Sequence, residues 1–126
     1  MDLVVSKLSR CDVVIGALQE TKWFSCGTYK VSDSMVLTLS RCTPGEGGCA
    51  QRGEGVALVL RGKVLAAWRH GGQQWKAWSS RCVSAVLQAD KRTASRIYVV
   101  SCYAPTRTAS RKVKDSFFQE LNNIIS

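Results

Sequence analysis

The sequence predicts a single α/β domain, and three observations carry that expectation. Apolar, β-prone runs occur at 12–18, 56–60, 81–89 and 97–103; apolar residues repeat at helical spacing near both ends; and clusters of turn residues separate these segments. A chain of 126 residues has room for one core. Its 45% hydrophobic and 21% charged residues exclude the composition of a disordered chain.

In chain order, Leu3, Val4, Lys7, Leu8 and Cys11 predict a short amphipathic helix. It leads into Asp12 to Leu18, a continuous run of the kind that is buried on both faces of a sheet. Thr28 to Val31 and Met35 to Leu39, separated by Ser32, Asp33 and Ser34, predict a hairpin. The segment CTPGEGGCAQRGEG carries five glycines in fourteen residues and reads as a surface loop. Its GEGGCA matches a dinucleotide-binding pattern on paper, but that pattern needs a helix to follow, and Val56 to Leu60 reads as a strand. The RGK at 61–63 predicts a tight turn into a second hairpin strand, Val64 to Trp68. GGQQWKAWSS then reads as a connection whose Trp75 and Trp78 pack at a loop base or stack on bases. Arg81 to Ala89 and Ile97 to Tyr103 are apolar on both faces, which predicts central strands of a sandwich or layered sheet. From Ala109 onward, Val113, Phe117, Phe118, Leu121, Ile124 and Ile125 form one helical stripe, with Lys112, Lys114 and Glu120 on the other side. Thr106, Thr108 and Ser110 are candidate caps for that helix.

Eighteen basic against nine acidic residues give a net charge of +9, which favours a polyanionic partner such as nucleic acid or an anionic surface. The first residues, MDLVVSKLSR, do not have the form of a secretory signal, and no run reaches the length of a membrane span. The expectation is therefore an intracellular chain, nuclear or cytoplasmic, with no membrane partner. Most of the six cysteines read as reduced, small core residues rather than a disulfide framework. With no CxxC pair and only His70, a structural zinc site is not expected.

Two polar side chains stand at strand ends, where chemistry can be placed. Glu20 follows VVIGAL with one residue between, and Tyr103 follows IYVVSC immediately before Ala104 and Pro105. A carboxylate suits a hard divalent cation, and a phenol can donate to a phosphate oxygen. Taken singly, Glu20 reads equally as a solvated strand-terminal charge and Tyr103 as an amphipathic rim residue. Lys22, Arg107 and Arg111 are candidates for holding phosphates on the same rim, and Arg81, at the start of its strand after Trp78, is a further candidate.

Taken together, DVVIGALQETKW, GEGVALVL, SRCVSAVL, IYVVSCYAPT and KDSFFQELNNII resemble, in order and spacing, the endonuclease/exonuclease/phosphatase superfamily. The resemblance is nearest to the apurinic-type endonuclease domains of non-LTR (LINE-type) retrotransposons and their craniofacial-development-protein-like relatives, and it extends from Asp2 to Ile125. It implies a DNase I-like four-layered α/β-sandwich, of which 1–126 is a part truncated at both ends, and a DNA-directed, Mg²⁺- or Mn²⁺-dependent phosphodiesterase. By the same resemblance Glu20 is the metal ligand, Tyr103 contacts the scissile phosphate, and Thr106 stands where many relatives have asparagine. The family's first strand and its G-D-x-N and S-D-H motifs do not occur in these 126 residues. Since such groups act as a unit, the expectation is a chain with little or no turnover by itself. A non-catalytic nucleic-acid-binding relic and a phosphoester phosphatase of the same superfamily are the alternatives.

Overall fold

Val56–Leu60 is buried at every position, and a strand of that kind needs a covering layer on each face. The computed structural model describes residues 2–19, 26–39, 55–79, 81–89, 92 and 95–126. Within them, β1 (Ile15–Gln19), β2 (Cys26–Val31), β3 (Ser34–Leu39) and β4 (Val56–Leu60) form an antiparallel sheet in the order β1-β4-β3-β2. A second antiparallel sheet contains β5 (Trp75–Ser79), β6 (Cys82–Gln88) and β7 (Arg96–Cys102), in that order. With helices α1 (Asp2–Arg10), α2 (Gly62–His70) and α3 (Arg111–Ile125), the chain has the mixed helix-and-sheet character expected of an α/β fold.

The alternation of side chains along a strand decides what covers what. Val56, Leu58 and Leu60 of β4 and Leu37 of β3 meet Val83, Ala85 and Leu87 of β6, so one core lies between the sheets. Ala57 and Val59, facing the other way, join Val36 and Val5, which places α1 over the outside of the first sheet. Each of these fully buried Val or Leu side chains contributes about 1.5–3 kcal/mol from burial, and together they make this double-faced strand the centre of the fold.

Several expectations need correction. The buried face of α1 consists of Val5 and Leu8, while Leu3, Val4 and Cys11 are exposed. β1 is an edge strand, half-covered rather than buried on both faces. The predicted hairpin strand Val64 to Trp68 is part of α2. Leu65 and Trp68 both enter the inter-sheet core; residues three apart share a face on a helix but oppose each other on a strand. The helix begins at Gly62, with φ +53, and ends at Gly71 and Gly72, the latter at φ +87, a backbone region that glycine enters without strain. Trp68 Nε1 donates to Gln74 O at 3.1 Å, which fixes the chain as it leaves the helix. The segment read as a connection contains β5. Trp75 packs against the inter-sheet core, and Trp78 Nε1 donates to Ser84 Oγ at 2.8 Å. β7 is the edge of its sheet rather than central, leaving Ile97 and Tyr98 exposed.

The predicted hairpin is present as β2 and β3, turning at Ser32 and Asp33. α3 also forms, capped by Ser110, whose Oγ accepts from Val113 N at 3.3 Å. Its stripe is only partly covered: Phe117 is buried, whereas Val113, Phe118 and Ile125 are exposed. The glycine-rich segment with GEGGCA lies outside the described residues, apart from Gly55. Among the described residues no helix is long and apolar enough to cross a membrane.

Arg61 joins four elements. Its backbone N–H donates to Val14 O at 2.8 Å, Nη1 to Val13 O at 2.6 Å, and Nη2 to Ser9 Oγ at 3.1 Å. Nη2 also lies 3.4 Å from Asp33 Oδ2, so the side chain links α1, the entry to β1, the β2–β3 turn and the start of α2. The hydrogen bond from Arg61 holds the Asp33 carboxyl below the usual aspartate range.

Candidate functional site

The strand register determines which sequence candidates can meet. α2 starts where β4 ends at Leu60 and finishes against β6, where a Cβ on Gly71 would stand 3.2 Å from Val86 O. Gln19 is paired with Val56, and Cys102 with Cys82, at the other ends of β4 and β6. Cys102 thus marks the end of the β6–β7 ladder, and β1 and β7 approach each other across the two sheets.

At that end Arg81 and Tyr103 extend the β6–β7 ladder by one pair. Tyr103 N donates to Arg81 O at 2.8 Å, and Arg81 Nη1 donates to Tyr103 O at 3.1 Å. The Arg81 guanidinium carbon also lies 5.1 Å from the centroid of the Tyr103 ring, within the reach of a cation–π contact. Both side chains are half-buried, and the Tyr103 ring packs against the inter-sheet core. An arginine held by a carbonyl and an aromatic face has already lost rotamer freedom, so its planar fork is preorganised.

A second chain of contacts holds this pair from behind. Arg81 N donates to Ser79 Oγ at 3.1 Å, and Ser79 Oγ donates to Glu120 Oε1 of α3 at 2.6 Å. Glu120 therefore does not stand on the solvent side of its helix; it is half-buried and anchors the β5–β6 turn. Its signal in the sequence is the spacing from Phe117 to Glu120 to Ile124, which places all three on one helical face.

Of the other candidates, Thr106, Arg107 and Arg111 are exposed along the segment leaving Tyr103 and entering α3. Thr106 Oγ1 lies 3.2 Å from Thr108 Oγ1, and Thr106 O accepts from Ala109 N at 3.0 Å. Lys114 Nζ donates to Arg107 O at 2.8 Å, which shapes the loop around Arg107. Glu20 and Lys22 lie outside the described residues. Among the described residues no three His, Cys, Asp or Glu side chains converge as a metal site.

Cys11, Cys82 and Cys102 are free thiols, Cys11 exposed rather than in the core, and the other two are partners. Cys82 and Cys102 stand directly across β6 and β7, with Sγ atoms 3.8 Å apart. Burial, together with the neighbouring Cys102 and Glu120, pushes the Cys82 thiol up to about 12. Comparison with protein families, curated proteins and solved structures finds no match to this chain.

Proposed function

We propose that this chain carries part of a metal-dependent phosphodiesterase site directed at DNA, within a DNase I-like four-layered sandwich. The observation that carries the reading is the Arg81–Tyr103 pair. Two residues selected separately from the sequence are bonded to each other where β6 begins and β7 ends.

In this reading the Arg81 fork holds phosphate oxygens, matching their planar spacing. Tyr103 positions Arg81 through its carbonyl and ring and presents its phenol to the same phosphate. Thr106, Arg107 and Arg111 extend the anion-binding surface along the loop to α3, with Lys22 as a further contact. Glu20 supplies a hard oxygen ligand, and one carboxylate completed by water and phosphate oxygens is within the coordination habit of Mg²⁺ or Mn²⁺. Such an ion, when bound, polarises the phosphoryl group and lowers the pKa of an attacking water. This chain's own part is binding and orientation, and little turnover is expected of it alone.

The test is duplex-DNA binding by fluorescence anisotropy across a salt series. Affinity should fall linearly in log–log form, and the double variant Arg107→Ala/Arg111→Ala should reduce the slope by about 2, near 0.9 per lost phosphate contact. An unchanged slope would remove the loop from the interface. Mn²⁺ uptake followed by electron paramagnetic resonance should be lost in Glu20→Gln. Plasmid nicking at the rate of a complete enzyme, abolished by that same variant, would refute the expectation of low turnover.

A second reading, a nucleic-acid-binding module without hydrolysis, is favoured by the first turn of α3. That turn contains no acidic residue, and Arg111 and Lys112 are exposed there. It predicts the same salt dependence with no Mn²⁺ uptake at Glu20.

A further inference from the structure

We propose that Cys82 and Cys102 form a two-electron thiol–disulfide couple, an oxidative modification site that locks β6 to β7 beside Arg81 and Tyr103. The two residues are opposite partners in the ladder, and their sulfurs are already in contact at 3.8 Å. In the adjacent pair, Tyr103 N donates a backbone hydrogen bond to Arg81 O. Cys82 and Cys102 therefore occupy the alternate, non-hydrogen-bonded position, where side chains approach most closely. The Cα separation typical of such a position, about 4.5 Å, falls within the range a disulfide spans. Bond formation needs the sulfurs to close on each other without a change of register.

The surroundings assign different roles to the two thiols. Cys82 is fully buried, and its thiol is pushed up by burial, by Cys102 and by Glu120, so it is not the group that meets an oxidant first. Cys102 is half-buried and more accessible. With hydrogen peroxide as the oxidant, the Cys102 sulfur attacks one peroxide oxygen; an S–O bond forms, the O–O bond breaks, and one water leaves. The Cys82 sulfur then attacks the sulfenic sulfur; the S–S bond forms, the S–O bond breaks, and the Cys82 proton departs with the hydroxyl as a second water. Two thiols have lost two electrons, and one peroxide has become two waters.

Side chains alternate across the sheet. Tyr103 faces the inter-sheet core, whereas Cys102 faces the opposite side with Cys82. A crosslink there holds the strand ends carrying Arg81 and Tyr103 while leaving the Tyr103 side of the sheet unaltered. The inference does not depend on hydrolysis, and its readout contains no nucleic acid.

The experiment treats the reduced 126-residue protein with a small excess of hydrogen peroxide near neutral pH, alkylates the remaining thiols, digests with trypsin and maps the peptides by mass spectrometry. The expected product is CVSAVLQADK joined to IYVVSCYAPTR, released by dithiothreitol and absent from Cys102→Ala. It should exceed intermolecular disulfides of either cysteine by at least about tenfold, because a tethered thiol acts at millimolar effective concentration against micromolar chains. A circular dichroism spectrum matching the native one shows that Cys102→Ala is folded. Recovery of both peptides alkylated after exposed Cys11 has been oxidised would overturn the proposal. So would Cys102 converted to sulfinic acid while Cys82 remains a thiol.

Discussion

Ser79→Ala is the most informative single perturbation, because one hydroxyl joins α3 to the Arg81–Tyr103 pair. It deletes the donation to Glu120 Oε1 at 2.6 Å and the acceptance from Arg81 N at 3.1 Å. A hydrogen bond to a charged group contributes about 1.5–3 kcal/mol and a neutral one about 0.5–1.5 kcal/mol, giving roughly 2–4.5 kcal/mol before correction. Ser79, Arg81 and Glu120 are all half-buried, so water replaces part of what is lost. Halving the gross value leaves ~1–2 kcal/mol. With a urea m-value of about 1.5 kcal/mol/M, the midpoint should fall by ~0.7–1.3 M at unchanged slope. Circular dichroism in reducing buffer reads this directly. The cycle with Glu120→Gln should return a coupling of about 1 kcal/mol, since the two sites are in contact. A loss below ~0.3 kcal/mol, or a coupling of zero, would show that α3 does not anchor the turn carrying Arg81.

Two further outcomes follow from the fold. Leu58→Ala, at a fully buried position between the sheets, should cost about 2–5 kcal/mol in urea unfolding; a cost below that range would show that the core closes over the lost volume. Asp33 has a lowered pKa through its hydrogen bond from Arg61, so its contribution is present above the ordinary aspartate value and is lost as pH falls through the folded one. Thermal scans from neutral pH to below pH ~4 should show a steeper acid loss for the native chain than for Asp33→Asn, and parallel curves would exclude the contact as a source of acid sensitivity.

What could be read from the sequence was set by pattern length and by contact range. Val56–Leu60 and the α3 stripe are long, uniform signals, and the turn residues of the β2–β3 hairpin lie beside the strands they join. The sequence of α2 reads as a strand because Val64 and Trp68 are β-prone and follow a turn-like RGK, although Leu65 and Trp68 share the three-residue spacing that a helix uses to bury both. β5 was hidden by the polar Gly71-Gly72-Gln73-Gln74 before it and by a register shift between Ala77 and Ser79. At the site, Tyr103 is legible as a strand-end residue and Arg81 as a further candidate at a strand start, but their contact is not. They are 22 residues apart, and only the pairing of Cys82 with Cys102 brings them together. The same register was needed to turn two core cysteines into a pair. Glu120 was assigned to the wrong face because charge was weighed above its spacing from Phe117.

The period of two along a strand explains how so short a segment can serve separate purposes. Tyr103 and Cys102 are neighbours in the chain but face opposite sides of the sheet, and Arg81 and Cys82 are their ladder partners. Moving β7 by one residue against β6 would exchange the faces and dismantle both pairs at once. The register is resisted on the inner face by Val83, Ala85 and Leu87 in the core, and on the outer face by Ser79 bound to Glu120. The Arg81–Tyr103 geometry is thus held by packing that lies mostly away from it. A substitution such as Leu87→Ala, distant along β6, should loosen the site through the sheet before any side chain of the site is touched.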